Sequence, residues 1–392
     1  MKKPLTIVLT GGGSGGHITP LLSLARALKG LDTGCKVVYI GLKGESLGDS
    51  LKKRYQIFDK VYSVPSGKLR RYHNQSLLAH IIDVRTLLLN IKDFFKVLAG
   101  IVAAHRLIGQ IKPDVVFSKG GFVAVPVGLA AKMHKIPIIT HDSDSVAGLA
   151  NKIVGRYAKI RTSGMSSNHD NSSVTFVGIP VDERIKPISA SAQRKFKEEI
   201  GFPPSSLVLL VGGAGLGSRD VNNATLAIAS DLLKKYKALY LIHFTGNKHE
   251  QEVKAKYDNL PKPIKSRILV LGFTPEFYKY TGAADLIVTR AGATTIAELA
   301  IQKKPVILIP APQLTGGHQL QNAQELNSLD AVEVIQNDSK PEALMGTISN
   351  LLDHPILRKK LSQNIGSTAK ADASKALAKI LIAEATLKQG HL

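Results

Sequence analysis

A single cysteine, Cys35, stands among 392 residues, so the chain can close no internal disulfide, a usage that fits a reducing compartment. Tryptophan is absent and aromatic residues make up only 5%. That leaves few rings for stacking bases, and no zinc-ligand spacing or RNA-binding signature accompanies them. Long apolar runs are also missing. The apolar segment 5–9 behind Met1-Lys2-Lys3-Pro4 breaks into glycines, too early for a signal peptide. Nowhere do about 18 apolar residues run uninterrupted, so no membrane-crossing helix is expected. Acidic residues are scarce too, 30 against 52 lysines and arginines, for a net charge of +22. A field of that sign attracts polyanions. The missing modules argue against nucleic acid and leave phosphorylated ligands or an anionic membrane surface.

An apolar share of 44% and a charged share of 21% describe a folded chain, and its length calls for two domains. Short apolar runs alternate with helix-length amphipathic stretches, the rhythm of an α/β protein with parallel sheets. One series of strands is expected at 6–9, 36–40, 115–117, 136–140 and 174–177. A second follows at 207–211, 238–244, 268–271, 286–288 and 306–309. Between them, 178–191 is rich in Pro, Ser and charge and reads as a hinge. Two such series imply two doubly wound sheets facing a cleft, with ligands at the carboxyl ends of their strands. The expected division is 1–180, 181–365, and a C-terminal helix in 366–392 returning to the first domain.

Glycine concentrates where that scheme needs it. Gly11-Gly12-Gly13-Ser14-Gly15-Gly16-His17 follows the first strand and opens a helix, so bare backbone N–H groups and the helix dipole converge on an anion. Gly11, Gly13 and Gly16 also spell a dinucleotide-binding pattern. However, strand 36–40 runs into Gly41-Leu42-Lys43-Gly44, without the acidic residue that holds a ribose. A second glycine run, Gly212-Gly213-Ala214-Gly215-Leu216-Gly217, opens the second series.

Four polar islands follow other strands: Ser118-Lys119-Gly120-Gly121-Phe122, His141-Asp142-Ser143-Asp144 with Asn151, Arg290 to Glu298, and Gly316-Gly317-His318-Gln319 with Asn322. Each alone has an ordinary reading as a packed histidine, a cap or a solvated face. Four at equivalent positions point to a ligand site. Residues 68–108 differ again. Lys68, Arg70, Arg71 and Tyr72, then Phe94, Phe95 and Lys96, mix basic and apolar anchors as an interfacial membrane face does, while most of the intervening leucines read as crossover-helix core.

In combination, TGGGSGGHITP (10–20), SGKLRRY (66–72), KGGFVAVPVGLAA (119–131), HDSDSVAGLANK (141–152), RAGATTIAE (290–298) and GHQLQNA (317–323) resemble the MurG family, in order, from the N-terminus to about residue 335. The resemblance implies the GT-B fold, two Rossmann-like domains. It also implies inverting, metal-independent transfer of N-acetylglucosamine from UDP-N-acetylglucosamine to undecaprenyl-diphospho-muramoyl-pentapeptide, a step of peptidoglycan synthesis, on the cytoplasmic face of the membrane. No cofactor is expected.

By the same resemblance, His17 is the candidate base. Ser14, Gly15 and Gly16 lie against phosphates or the transferred sugar. Ala293, Thr294, Thr295, Ile296 and Ala297 form the uridine and α-phosphate turn, and Glu298 holds the ribose hydroxyls. Thr274 sits beside uracil, Gln319 and His318 hold sugar hydroxyls, and Asn322 supports their loop. Asp144 and Asn151 belong to the binding set.

Three departures from the family pattern stand out. Ala214 or Gly215 replaces a loop serine, with Ser218 a candidate substitute. Asp182 stands where the family has a phosphate-binding arginine, with Arg184 nearby. Asp144 stands where many members have asparagine. Alternatives left open are a related GT-B transferase with another acceptor or nucleotide sugar, a non-catalytic nucleotide or lipid-diphosphate binder, and an NAD(P)-dependent oxidoreductase.

Overall fold

The computed structural model describes residues 3–12, 15–44, 55–67, 84–166, 173–213, 217–312 and 317–390. The chain divides into two compact units. Unit 1 comprises Met1–Glu183, Gln313–His318 and Lys370–Leu392, and unit 2 comprises Arg184–Pro312 and Gln319–Ala369.

Unit 1 is built on a seven-stranded sheet of β1 (Thr6–Thr10), β2 (Lys36–Leu42), β3 (Lys60–Val64), β4 (Val115–Ser118), β5 (Ile138–Asp142), β6 (Ile160–Ser163) and β7 (Val174–Phe176). Their order is β3-β2-β1-β4-β5-β6-β7 and every pairing is parallel. Its helices are α1 (Gly15–Leu31), α2 (Val84–Ile111), α3 (Ala124–Met133) and α4 (Leu149–Val154), followed at the far end of the sequence by α14 (Ala373–Gly390).

Alternation along β1 explains the layering. Ile7 and Leu9 face a core completed by Leu21 and Leu24 of α1 and by Leu377 and Leu381 of α14. Val8 faces the opposite core, with Ala104 and Ile108 of α2 and Val127 of α3. A strand buried on both faces needs an apolar centre, and Ile7-Val8-Leu9 supplies it between two threonines.

Unit 2 carries β8 (Leu207–Gly212), β9 (Leu239–Phe244), β10 (Ile268–Leu271), β11 (Leu286–Thr289), β12 (Val306–Leu308) and β13 (Glu333–Val334). Their order is β10-β9-β8-β11-β12-β13, again all parallel. The helices are α5 (Ala190–Glu199), α6 (Arg219–Lys235), α7 (Glu250–Asp258), α8 (Lys262–Lys265), α9 (Phe277–Ala283), α10 (Ala293–Gln302), α11 (His318–Ser328), α12 (Pro341–Asp353) and α13 (Pro355–Ser367). In each sheet the order reverses beside the first strand, between β1 and β4 and between β8 and β11. Loops leaving those strands diverge there and open a crevice for a ligand.

The ten expected strands are present, with shifted ends. β5 starts at Ile138 rather than 136, because Pro137 has no N–H for the ladder and contributes only its carbonyl, to Val116 N. β3, β6 and β13 were not anticipated. β3 is an edge strand with exposed positions, β6 carries Arg161, and β13 has two residues. Helix α1 begins at Gly15, so the glycine run is partly helical.

Candidate active site

In unit 1 the carboxyl ends of β1, β4 and β5 meet at two glycine turns. Thr10 Oγ1 donates to Ile40 O (2.9 Å) and the Tyr39 hydroxyl donates to Gly11 O (2.7 Å), which fixes the exit of β1 from the side of β2. On the other side Lys119 N donates to Thr10 O (2.9 Å). Gly120 (φ +91°) and Gly121 (φ +78°) are left-handed, and a Cβ on Gly121 would overlap the Gly12 carbonyl. The two glycine turns therefore touch backbone to backbone, an approach closed to any other residue.

Asn151 binds the neighbouring loops together. Its Oδ1 accepts from Ser118 Oγ (2.8 Å), and its Nδ2 donates to His141 O (3.0 Å) and Asp142 Oδ1 (3.1 Å). His141 is fully buried. Thr162 Oγ1 donates to Thr140 O, so it accepts from His141 Nδ1–H (3.0 Å), which makes the ring a neutral Nδ1 tautomer. Its Nε2, with Ser143 Oγ and Ser163 Oγ, meets no partner among the described residues. Burial pulls the His141 ring well below its ordinary pKa, and the Lys119 charge adds to this. Burial likewise lowers Lys119, against the pull of Asp144 and Asp142, and raises Asp142.

In unit 2 the ends of β8, β11, β12 and β13 converge on Arg290, 6% exposed. Its Nη2 and Nε donate to Ser218 Oγ (2.6 and 3.2 Å), and Nη2 also reaches Asp220 Oδ2 (3.3 Å). Its Nη1 donates to Ile309 O (3.1 Å), Pro310 O (3.4 Å) and Asn337 Oδ1. Burial lowers the Arg290 pKa, with Asp220 opposing.

Two helices start beside it. Ser218 caps α6 by accepting from Val221 N (3.5 Å), and Gly217 (φ +77°) lies so close to the Thr245 carbonyl that a Cβ would overlap it. Gly292 begins α10 with no side-chain cap, and the first N–H groups of a helix have no partner within it. Asn322, buried on α11, donates to Ala291 O (3.0 Å), and Gln319 Oε1 accepts from Ala311 N (2.9 Å).

The structure thus gathers Ser218, Ala293, Thr294, Thr295, Ile296, Ala297, Glu298, Gln319 and Asn322 around one set of strand ends, with His318 at the start of α11. Ile296 is buried in the core, and its N–H donates to Gly292 O (2.9 Å). Thr274 lies after β10, two strands from β8, and its Oγ1 accepts from Glu276 N (3.2 Å). Arg184 lies over the Tyr278 ring at 4.9 Å, and Asp182 pairs with Arg26 of α1 (3.6 Å). Asp144 and Asn151 sit with Lys119 and His141 in unit 1. Gly15, Gly16 and His17 form the first turn of α1, and the His17 side chain lies outside the described residues, as do Ser14, Gly215 and the basic stretch 68–72. Sequence reasoning flagged Arg290 only within a polar island, and Asn337, 47 residues away, carried no signal.

Two parallel Rossmann-like units with helix starts at both switch points fit the GT-B fold, and the family matches make the chain a glycosyltransferase. Residues 7–161 match the glycosyltransferase family 28 N-terminal domain and residues 207–377 its C-terminal domain. The chain is 35% identical over 357 residues to the UDP-N-acetylglucosamine--N-acetylmuramyl-(pentapeptide) pyrophosphoryl-undecaprenol N-acetylglucosamine transferase of Clostridium perfringens, covering 90% of this chain and 91% of that one. It is 36% identical over 330 residues to the enzyme of the same description from Clostridium tetani, covering 83% and 82%. A crystal structure of Acinetobacter baumannii MurG shares the fold, with a TM-score of 0.71 at 24% identity over 97% of this chain and 100% of that one. The chain belongs to the MurG family of glycosyltransferases.

Proposed function

We propose that the chain transfers N-acetylglucosamine from UDP-N-acetylglucosamine to undecaprenyl-diphospho-N-acetylmuramoyl-pentapeptide at the cytoplasmic face of the membrane. The observation that carries this reading is the uncapped start of α10, set between Ser218 and Asn322 with Glu298 further along the helix. It offers backbone N–H groups to a diphosphate and a carboxylate to a ribose. The glycine turns of unit 1 take the lipid diphosphate. In the transfer, the C4 hydroxyl of the muramoyl sugar attacks C1 of N-acetylglucosamine, the C1–oxygen bond to UDP breaks with inversion, and the hydroxyl proton passes to His17. Helix N-termini offset the charge of the departing UDP.

Membrane docking rests on α2. Ile91, Phe94, Phe95, Leu98 and Val102 fall at helical spacing and are exposed, Phe94 at 59% and Phe95 at 63%. Lys92 and Lys96 flank them. Leu89–Ile111 is long and apolar enough to cross a membrane by length and composition. Its other face is held by the sheet, with Ala104 and Ile108 buried, and a Cβ on Gly100 would overlap the Pro65 carbonyl, so it lies on a surface and does not cross.

Incubation with radiolabelled UDP-N-acetylglucosamine and a short-chain lipid-linked acceptor is expected to yield a labelled lipid-linked disaccharide. Its absence from folded protein overturns the reading. Replacing Phe94 and Phe95 with serine is expected to reduce sedimentation with anionic vesicles while leaving transfer to a water-soluble acceptor intact; equal sedimentation removes α2 from the docking role.

A further inference from the structure

We infer that Arg290 is a positioning residue that acts through Ser218, turning the Ser218 hydroxyl into a hydrogen-bond donor aimed at the diphosphate of the nucleotide. This rests on the reading of unit 2 as the UDP-sugar unit.

Ser218 Oγ accepts from Arg290 Nη2 (2.6 Å) and Nε (3.2 Å) and from Val221 N (3.5 Å). A hydroxyl has two lone pairs and one hydrogen. With its acceptor capacity filled by these donors, its own hydrogen must point away from them, and it meets no acceptor among the described residues. The hydrogen therefore leaves on the open side of the α6 N-terminus, where backbone N–H groups and the helix dipole already favour negative charge. A guanidinium on its oxygen polarises that O–H and strengthens it as a donor to an anion.

Arg290 itself is poorly placed to touch a ligand. It is 6% exposed, and its donors are taken by Ser218, Asp220, Ile309 O, Pro310 O and Asn337. Its charge reaches the nucleotide through the hydroxyl. The other basic candidate is engaged elsewhere, since the Arg184 guanidinium stacks on Tyr278. The Asp220 carboxylate accepts from the same Nη2 and is braced by Asn337 Nδ2 (3.2 Å), which steadies the guanidinium.

Calorimetric titration with UDP and with uridine separates this role from a structural one, because uridine has no phosphate. Ser218→Ala is expected to weaken UDP binding about 10-fold and to leave uridine binding unchanged. Arg290→Lys, which keeps the charge but loses the planar fork, is expected to cause a similar loss for UDP alone. The double variant is expected to lose about 10-fold and not about 100-fold, since both changes remove one interaction. Ser218→Thr, retaining the hydroxyl, is expected to restore most of the UDP affinity. In turnover, the same variants should raise KM for the donor more than they lower kcat. Unchanged UDP affinity in folded Ser218→Ala, additive losses in the double variant, or equal losses for UDP and uridine would each overturn the inference and leave the transferase reading standing. A wild-type chain that binds no UDP would remove both.

Discussion

Each sheet buries one histidine near the carboxyl end of a strand, and the two are wired in opposite ways. His243 on β9 has both ring nitrogens engaged. Nε2–H donates to Asn222 Oδ1 (3.1 Å), and Nδ1 accepts from the Tyr257 hydroxyl (2.9 Å). Asn222 in turn donates to Thr245 O (3.0 Å), tying α6 to the segment that Gly217 packs against. His141 on β5 carries its hydrogen on the other nitrogen and leaves Nε2 without a partner among the described residues. Burial holds both rings neutral, His243 down to about 3. A closed network specifies a fold, whereas an orphaned lone pair in a buried site costs stability unless something outside the chain meets it.

The largest effect expected from breaking this contrast is on stability. His243→Leu strands the Tyr257 hydroxyl and Asn222 Oδ1, and should cost roughly 2–4 kcal/mol in urea unfolding, with turnover per folded molecule retained. His141→Leu removes only one bond within the protein, because Thr162 keeps its own to Thr140 O. It should lower transfer about 100-fold with a smaller loss of stability. If both variants only destabilise, the contrast fails.

The pH dependence follows next. Between pH 6.5 and about 3 the unfolded chain binds a proton at residue 243 that the folded chain refuses. This contribution is fully present above pH 6.5 and is lost as pH falls toward 3, with a limiting slope of about 1.4 kcal/mol per pH unit. His243→Leu should flatten the acid limb of unfolding free energy against pH by that amount; an unchanged limb would mean that the ring is not held neutral. Smallest is Tyr257→Phe, which leaves one acceptor on His243 unmet and should cost about 1 kcal/mol in the same measurement.

These histidines also mark how far the sequence could be read. Strands buried on both faces, such as β1 and β8, announced themselves as short apolar runs between glycine turns, and the resulting α/β order led to the fold. β3 stayed hidden because an edge strand exposes part of its length, and β13 because two residues carry no period. The polar islands at 118–122, 141–144 and 290–298 were visible as breaks in an apolar pattern. The hydrogen bonds that give them meaning were not. Arg290 reaches Ser218 across 72 residues and Asn337 across 47, and nothing in local spacing pairs them. Asp182 looked like a missing phosphate ligand, and it pairs with Arg26.

The placement of α14 sets the order in which the polypeptide can fold as it is made. Unit 2 has all its residues once Ala369 has emerged, while α1 still lacks the leucines of 377 and 381 that seal it against β1. Each of those side chains contributes about 2–3 kcal/mol of burial. β1 is therefore covered only after residues 377 and 381 have been made, and the glycine turn it carries matures after unit 2. A ribosome stalled before Ala373 would present a finished unit 2 and an unsealed unit 1.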